Sequence, residues 1–309
     1  MFQFSVLLEK MLIFLVLMVI GYALAKKGTL DKNSTRAISS LTLNVFMCAS
    51  IVASGLGMDR APSMGELAKL LLVVFAMQGL GYVIAAIVAR IVPDDPDRKP
   101  VFELLMSMGN TMFIALPIVQ MIYGATASFY VALSCLPFNV LIYTYGIYRI
   151  SRSHDGGLKL RAILSPPLIA TLLSILIIML RIPVPGAVRS LISAMSGATM
   201  PLSMLVIGAS LGTVSLLDAF KKGRLYLVSA VRLLLIPLLT WALLRCFVSD
   251  QELLMTMVII AACPSAILIT VLSIQYDRDA VFAAEGTLQN TALSLVTIPL
   301  LIWMLGGGL

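Results

Sequence analysis

The chain has 309 residues, of which 60% are hydrophobic and 12% are charged, and its formal net charge is +7. Soluble domains are about 45–50% apolar and about 25% charged, so this composition excludes a soluble protein and indicates a multi-pass membrane protein. An excess of lysine and arginine is typical of the cytoplasmic loops of such proteins, and we therefore expect no nucleic-acid partner.

Apolar stretches long enough to form membrane-spanning helices follow one another along the whole chain. A helix needs about 20 apolar residues to cross a bilayer, and about ten stretches meet this length. They lie at 4–25, 37–57, 66–92, 101–123, 126–150, 165–182, 188–214, 224–248, 252–275 and 280–305. The longest polar connection, at 151–162, is a predicted linker between two halves of five spans.

Positively charged residues are concentrated on alternate connections between these spans. The connections after the odd-numbered spans carry 15 lysine and arginine residues, whereas those after the even-numbered spans carry 5. Because positive charge marks the cytoplasmic side, both termini are predicted to lie outside. Each half has an odd number of spans, so the second half is predicted to be inverted relative to the first.

Two of the apolar spans contain residues that do not suit a lipid-facing helix. The fourth span includes the stretch Ser107–Pro117, and the ninth includes the stretch Ala261–Ile267. Irregular backbone at membrane depth persists only against protein or a water-filled cavity. Paired interruptions in corresponding halves are typical of the binding sites of transporters. We expect helix breaks at Gly109, Pro117 and Pro264.

The breaks are expected to bring polar side chains to the middle of the membrane. A break creates a helix N-terminus, which attracts anions such as carboxylates. The predicted substrate contacts there are Asn110, Thr111, Pro264, Ser265 and Ile267. Asn110 is the foremost candidate, since its amide both donates and accepts hydrogen bonds. The alternative is that Asn110 only joins neighbouring helices.

Other polar residues within the spans have the same two interpretations. Asn44 faces the same cavity or bonds a neighbouring helix. Gln78, Gln289 and Asn290 support the site, its coupling ion or only the helix packing. We keep both interpretations open for each of these residues.

Few ionisable residues lie within the spans. Arg232 neutralises an anionic substrate or extends toward the cytoplasmic headgroups, and we favour the second interpretation. Glu103 and Glu285 are expected to be solvated near the interface, with proton coupling as the alternative. His154, the only histidine, is expected in a cytoplasmic loop.

The sequence carries no catalytic or metal-binding motif. It has no HExxH, GxSxG or P-loop pattern and no cluster of cysteine and histidine. Its four cysteines are expected to be buried apolar side chains rather than disulfides or ligands. We therefore expect no enzymatic activity, no cofactor and no metal. A channel is also disfavoured, because no polar or charged ring is evident.

Taken together, the motifs resemble the auxin efflux carrier family, which includes plant auxin exporters and bacterial malate-permease-like transporters. The resemblance covers essentially the whole chain, and the order and spacing of several motifs carry it. These motifs are Gly21–Gly28, Leu43–Met47, Gly109–Gly124, Ala198–Gly212 and Cys263–Tyr276.

The resemblance implies a fold related to that of bile acid/sodium symporters. It has ten transmembrane helices in two inverted five-helix repeats, with helices four and nine broken and crossing. Residues 1–60 and 151–216 would form a scaffold, and residues 61–150 and 217–309 would form a transport domain that slides against it as an elevator. Homodimers would assemble through the scaffold.

The resemblance also implies roles for individual residues. Asn110 is similar to an asparagine that binds the substrate carboxylate in the plant exporters, and Ile267 would line the site opposite it. Met47 and Ile51 would approach from the scaffold. In departures from the family, Gly109 and Cys48 replace prolines, and Gln78 falls near an aspartate. The last change removes a titratable group.

We therefore expect a secondary active transporter in the plasma (bacterial inner) membrane that carries a small organic anion, such as a mono- or dicarboxylate or an auxin-like acid. Its partners would be this anion, the lipid bilayer, and a proton or sodium ion for coupling. One alternative is a sodium-coupled symporter for a larger amphipathic anion of the bile-acid type. Another is a membrane sensor that binds a ligand without transporting it.

Overall fold

The computed structural model describes residues 4–58, 60–151, 164–212 and 216–306. Within these ranges the regular secondary structure is helical, without a strand, and the predicted all-α class is confirmed. His154 and the predicted linker after Ser151 lie outside the described residues.

The chain forms seventeen described α-helices in two runs. The first run contains α1 (Phe4–Lys26), α2 (Lys32–Leu41), α3 (Met47–Leu56), α4 (Met64–Ile91), α5 (Lys99–Ser107), α6 (Leu116–Tyr123), α7 (Ala125–Leu133), α8 (Cys135–Leu141) and α9 (Ile147–Ile150). The second contains α10 (Pro166–Met179), α11 (Gly186–Gly212), α12 (Leu216–Lys221), α13 (Gly223–Ala230), α14 (Ile236–Leu244), α15 (Gln251–Ala262), α16 (Leu268–Gln275) and α17 (Ala280–Leu305).

Six helical stretches among the described residues are long and apolar enough to cross a membrane. They are Asn33–Leu56, Met64–Ile91, Ala125–Ile150, Gly186–Gly212, Gly223–Leu244 and Ala280–Leu305. Four further apolar helices are shorter, at Leu12–Lys26, Thr111–Tyr123, Pro166–Met179 and Gln251–Ala262. A multi-pass helical protein agrees with the prediction, whereas the count of ten spans and their inverted arrangement stay predictions.

Side-chain caps fix the start of four helices. Asp31, Ser165, Asp250 and Asp279 precede α2, α10, α15 and α17, and each accepts a hydrogen bond from a backbone N–H of the first turn. Such caps satisfy donors that have no partner within the helix. Hydrogen bonds from Ser34 lower the pKa of the Asp31 carboxyl below its ordinary value.

The described chain divides into two compact units. Unit 1 comprises Met1–Val74, Met112–Leu136 and Leu164–Thr213. Unit 2 comprises Phe75–Thr111, Pro137–Ile163 and Val214–Leu309. The division into scaffold and transport domains stays a prediction.

In unit 1, α1 and α11 approach each other so closely that their backbones are in contact. A Cβ atom at Gly208 would lie 2.0 Å from the carbonyl oxygen of Met18, and one at Gly21 would lie 2.2 Å from that of Leu205. Membrane helices pack through small residues because burial from lipid supplies no hydrophobic driving force. These two glycines therefore set the distance between the helices.

A ring of three hydrogen bonds joins α3, α6 and α11 in unit 1. Ser50 Oγ donates to Gln120 Oε1 at 2.8 Å, and Gln120 Nε2 donates to Ser196 Oγ at 3.0 Å. Ser196 Oγ closes the ring by donating to Ser50 Oγ at 3.2 Å. These hydrogen bonds between polar side chains therefore fix the positions of the three helices relative to one another.

Candidate functional site

The two interrupted helices meet in unit 2 and pair through their backbones. Asn110 N donates to the carbonyl oxygen of Pro264 at 2.7 Å, and Ala266 N donates to that of Met108 at 3.0 Å. Gly109 and Ser265 form an antiparallel bridge between these two bonds. The pairing satisfies backbone groups that lipid could not satisfy. We call this point, formed by Met108–Asn110 and Cys263–Ala266, the crossover.

Each of the two segments that form the crossover directly follows the C-terminal end of a half-helix. The helix α5 ends at Ser107, and α15 ends at Ala262. A π-helical segment then begins at Thr111, and α16 begins at Leu268. Two helix C-termini, which are electronegative, and two N-termini, which are electropositive, are therefore created by the breaks in unit 2.

Pro117 does not form part of the break. It lies inside the second half-helix, after the π-helical segment Thr111–Ala115. A proline clashes with the carbonyl four residues earlier, and a π-turn relieves that clash by widening the helix. Pro237 follows the π-helical segment Val231–Leu235 in the same way.

The Asn110 side chain lies at the crossover with its amide unengaged by any hydrogen bond from the described residues. Only 8% of the residue is exposed, and its backbone N–H is the group that pairs with Pro264. The neighbouring Thr111 is also buried, and the predicted contact Ile267 is half-buried just before α16. The foremost sequence candidate is thus a buried amide with free hydrogen-bonding capacity.

Ser265 and Asn290 form an internal hydrogen-bond chain. Ser265 Oγ donates to the carbonyl oxygen of Leu105 at 2.6 Å and accepts from Asn290 Nδ2 at 2.5 Å. The Leu105 carbonyl lies in the last turn of α5, where intrahelical partners are missing. Both Ser265 and Asn290 are fully buried. These contacts tie α17 and the second break to the end of α5.

Two neighbouring amide side chains in α17, those of Gln289 and Asn290, have polar atoms that form no hydrogen bond to the described residues. Gln289 is fully buried, and neither its Oε1 nor its Nε2 has a hydrogen-bond partner among the described residues. The same holds for Asn290 Oδ1. Leaving such a group unpaired costs about 1–3 kcal/mol. The third supporting candidate, Gln78, instead lines a small cavity in unit 2.

This cavity has a volume of about 20 Å³ and is lined mainly by apolar residues. Its polar lining residues are Gln78, Tyr82, Ser107, Thr111 and Arg232, and Gly109 also borders it. About 10–15 Å³ of such volume holds one water molecule, so the cavity has room for about one water molecule. The hydroxyl of Tyr82 is buried there without a hydrogen-bond partner among the described residues.

Arg232 lies at the crossover, and the favoured prediction that it extends to the headgroups is wrong. Only 4% of the residue is exposed. Its Nε donates to the carbonyl oxygen of Cys263 at 2.7 Å, and its Nη1 donates to that of Ser107 at 3.2 Å. The guanidinium is held inside because two half-helix ends offer it carbonyl acceptors. Sequence position alone did not reveal these acceptors.

Glu103 and Glu285 are buried rather than solvated, which corrects a second expectation. Glu103 is 1% exposed, and its carboxylate accepts from Tyr145 and from Arg149 Nε at 3.0 Å. Glu285 pairs with Lys222. Each acid is buried because a polar or basic partner from another segment of unit 2 compensates its charge.

Comparison with known proteins decides the family. A family model described as membrane transport protein matches residues 6–159 and 151–302. The chain belongs to this family. The resemblance to auxin efflux carriers is thereby confirmed, and the protein is a membrane transporter.

Two relatives are similar to this membrane transport protein over nearly their whole length. An uncharacterized transporter of Methanothermobacter thermautotrophicus is 27% identical over 296 residues, which cover 94% of this chain and 96% of the relative. An uncharacterized transporter of Methanocaldococcus jannaschii is 24% identical over 308 residues, which cover 96% and 98%. Their names support transport as the function and specify no substrate.

The remaining candidates of this membrane transport protein lie in unit 1. Met47 and Ile51 are fully buried in α3. Asn44 is exposed, and its Nδ2 donates to Ser40 Oγ at 3.0 Å, one turn earlier on the same helix. In this conformation, Asn44 therefore bonds within its own helix rather than to a neighbouring one.

Proposed function

We propose that this membrane transporter is a secondary active carrier of a small organic anion, such as a mono- or dicarboxylate or an auxin-like acid, across the cell (inner) membrane. The observation that carries the proposal is the buried Asn110 amide, which no described residue engages. An amide N–H in such a place donates to a carboxylate oxygen. This function requires substrate binding and no catalytic residue.

The electrostatics of the crossover support an anion rather than a cation as the substrate. The helical segment beginning at Thr111 and the helix α16 have no acidic residue in their first turns. Their N-terminal partial charges, about +0.5 each, are therefore not neutralised by their own side chains. The opposite partial charges, at the ends of α5 and α15, face the Arg232 guanidinium.

The proposal includes an elevator movement of two inverted five-helix repeats. Residues 61–150 and 217–309 would move against a scaffold formed by residues 1–60 and 151–216, and homodimers would assemble through that scaffold. The antiparallel pairing of the two breaks is the arrangement expected for segments related by inversion. Both termini would lie outside, as the distribution of positive charge predicts.

Uptake into proteoliposomes tests the proposal. The panel contains malate, malonate, succinate, indole-3-acetate and taurocholate, each with a proton gradient, a sodium gradient or neither. We expect accumulation of one small carboxylate. Sodium-dependent uptake of taurocholate alone would instead establish the bile-acid type of symporter. The absence of flux from folded protein, combined with thermal stabilisation by one of the compounds, would indicate a sensor.

The variant Asn110→Ala tests the binding site itself. We expect its flux to fall at least tenfold, about 1.4 kcal/mol of lost stabilisation, while its melting temperature stays near that of the wild type. Asn33→Ala is the matched control, because Asn33 is an exposed asparagine of α2. Wild-type flux from folded Asn110→Ala would refute a role in binding the substrate.

A further inference from the structure

Arg232 is a buried cation that is held by carbonyl groups instead of carboxylates. Its guanidinium donates to the carbonyl oxygens of Cys263 and Ser107, at 2.7 and 3.2 Å. In the part of the chain that the structure describes, no aspartate or glutamate forms an ion pair with it. A buried charge is costly unless something of opposite sign compensates it. The compensation therefore has to come from the backbone.

The two carbonyl groups belong to the ends of two different helices. Ser107 is the last residue of α5, and Cys263 is the residue that directly follows α15. A helix C-terminus carries about −0.5 of an elementary charge. Two such ends add up to about −1, which matches the single positive charge of a guanidinium. Its planar fork of donors also allows one side chain to bond both ends.

The crossover is shaped to accept this side chain. A Cβ atom at Gly109 would lie 1.9 Å from Arg232 Nη2 and 3.0 Å from its Cζ. The chain therefore passes directly over the guanidinium. The π-helical segment Val231–Leu235 carries Arg232 and directs it at this point from the middle of an apolar span.

We propose that Arg232 is a resident counter-cation of the crossover, which neutralises the ends of α5 and α15 in place of a bound monovalent cation. Two converging electronegative ends in a medium of low dielectric constant require a positive charge. Since the side chain supplies this charge, no sodium ion is required at that point. Where the anion-transport proposal holds, the carrier moves its substrate without sodium bound at the crossover.

Thermal unfolding of the purified full-length protein tests this role without any transported substrate. The wild type is expected to melt at the same temperature in sodium chloride and in choline chloride. Arg232→Ala is expected to melt about 5 °C or more lower, and millimolar guanidinium, which fits the vacated space, is expected to restore at least half of that loss. Choline, which is too large, restores none.

Two matched comparisons separate charge from packing. Arg232→Lys and Arg232→Met both place a long side chain in this space, but only lysine carries a positive charge. The lysine variant is therefore expected to be the more stable of the two. Arg60→Ala removes an exposed arginine, 72% accessible and paired with Glu66, and is expected to show no response to guanidinium. The comparison of Arg232→Lys with Arg232→Met also applies if Arg232→Ala does not fold.

Three outcomes would overturn the proposal. They are a wild-type melting temperature for Arg232→Ala, equal restoration by guanidinium and choline, and equal stability of Arg232→Lys and Arg232→Met. Because each readout is the stability of the folded protein, a failure of the anion-transport proposal would appear only in the flux measurements. The two proposals can therefore fail separately.

Discussion

A Cβ atom at position 109 would lie 1.9 Å from Nη2 of Arg232, so the missing side chain of Gly109 is what admits the guanidinium to the crossover. The two residues are far apart in sequence, yet each limits what the other can be. A side chain at position 109 and a bonded arginine at position 232 exclude each other. The contact joins the backbone break to the charge that stabilises it.

Gly109→Ala is therefore expected to destabilise the protein by displacing Arg232. The loss of hydrogen bonds to a charged group costs about 1.5–3 kcal/mol each, and we expect a loss of about 2–3 kcal/mol in the free energy of unfolding. Denaturant unfolding of the purified protein measures it. In the Arg232→Ala background, the same change is expected to cost less than about 1 kcal/mol, because the Cβ then enters vacated space.

Gly79→Ala provides the control for this prediction. Gly79 lies in α4, also in unit 2, and a Cβ there would have no atom within 4 Å. Alanine is a better helix former than glycine by about 1 kcal/mol, so this variant is expected to be neutral or more stable. Equal costs of Gly109→Ala with and without Arg232 would contradict the proposed coupling.

A second prediction concerns the contact of α1 with α11 in unit 1. Gly208→Ala would place its Cβ 2.0 Å from the carbonyl oxygen of Met18. A backbone atom cannot move aside as a flexible side chain can, so the helices must separate. We expect a loss of about 1–3 kcal/mol, the usual cost of overpacking, measured as a lower unfolding midpoint in denaturant.

Gly197→Ala, on the same helix, separates this contact from helix propensity. A Cβ at Gly197 would have no atom within 4 Å, and alanine raises helix propensity by about 1 kcal/mol. We therefore expect opposite signs for the two substitutions. If Gly208→Ala also stabilises the protein, this result would contradict the backbone contact between α1 and α11 at Gly208.

The sequence predicted the helical membrane fold because long apolar runs and alternating positive charge are local features. The breaks at Gly109 and Pro264 could also be predicted, since glycine and proline inside an apolar span weaken a helix by themselves, but the same reasoning wrongly placed a break at Pro117. Partners across the fold could not be predicted in this way. Arg232 donates to the carbonyl groups of Ser107 and Cys263, which are distant in sequence. The residues around each carbonyl group do not indicate the direction in which it points.

One sequence signal did point toward the position of Arg232. Gly109 stands where the resemblance to auxin efflux carriers implies a proline, and Arg232 is a lone arginine deep in an apolar span. Together they are consistent with a guanidinium at Arg232 that occupies the space left by the absent side chain of Gly109. Glu103 and Glu285 carried no such signal, because Arg149 and Lys222 come from other segments of unit 2.

The last prediction separates residues that hold the crossover together from residues that bind the substrate. Ser265→Ala would leave the carbonyl oxygen of Leu105 and the amide Nδ2 of Asn290 without their partner. Each buried polar group left unpaired costs about 1–3 kcal/mol. We therefore expect a clear loss of unfolding free energy for Ser265→Ala, whereas Asn110→Ala loses flux with little change in stability.

Ser203→Ala is the matched control, because Ser203 is equally buried but its hydroxyl has no hydrogen-bond partner among the described residues. Removing an unpaired hydroxyl leaves no partner behind, so this variant is expected to be neutral or more stable. Denaturant unfolding and uptake are measured on the same preparations of all three variants. Full stability of Ser265→Ala together with lost flux would place Ser265 among the substrate ligands, since its hydroxyl would then matter to the bound anion more than to the fold.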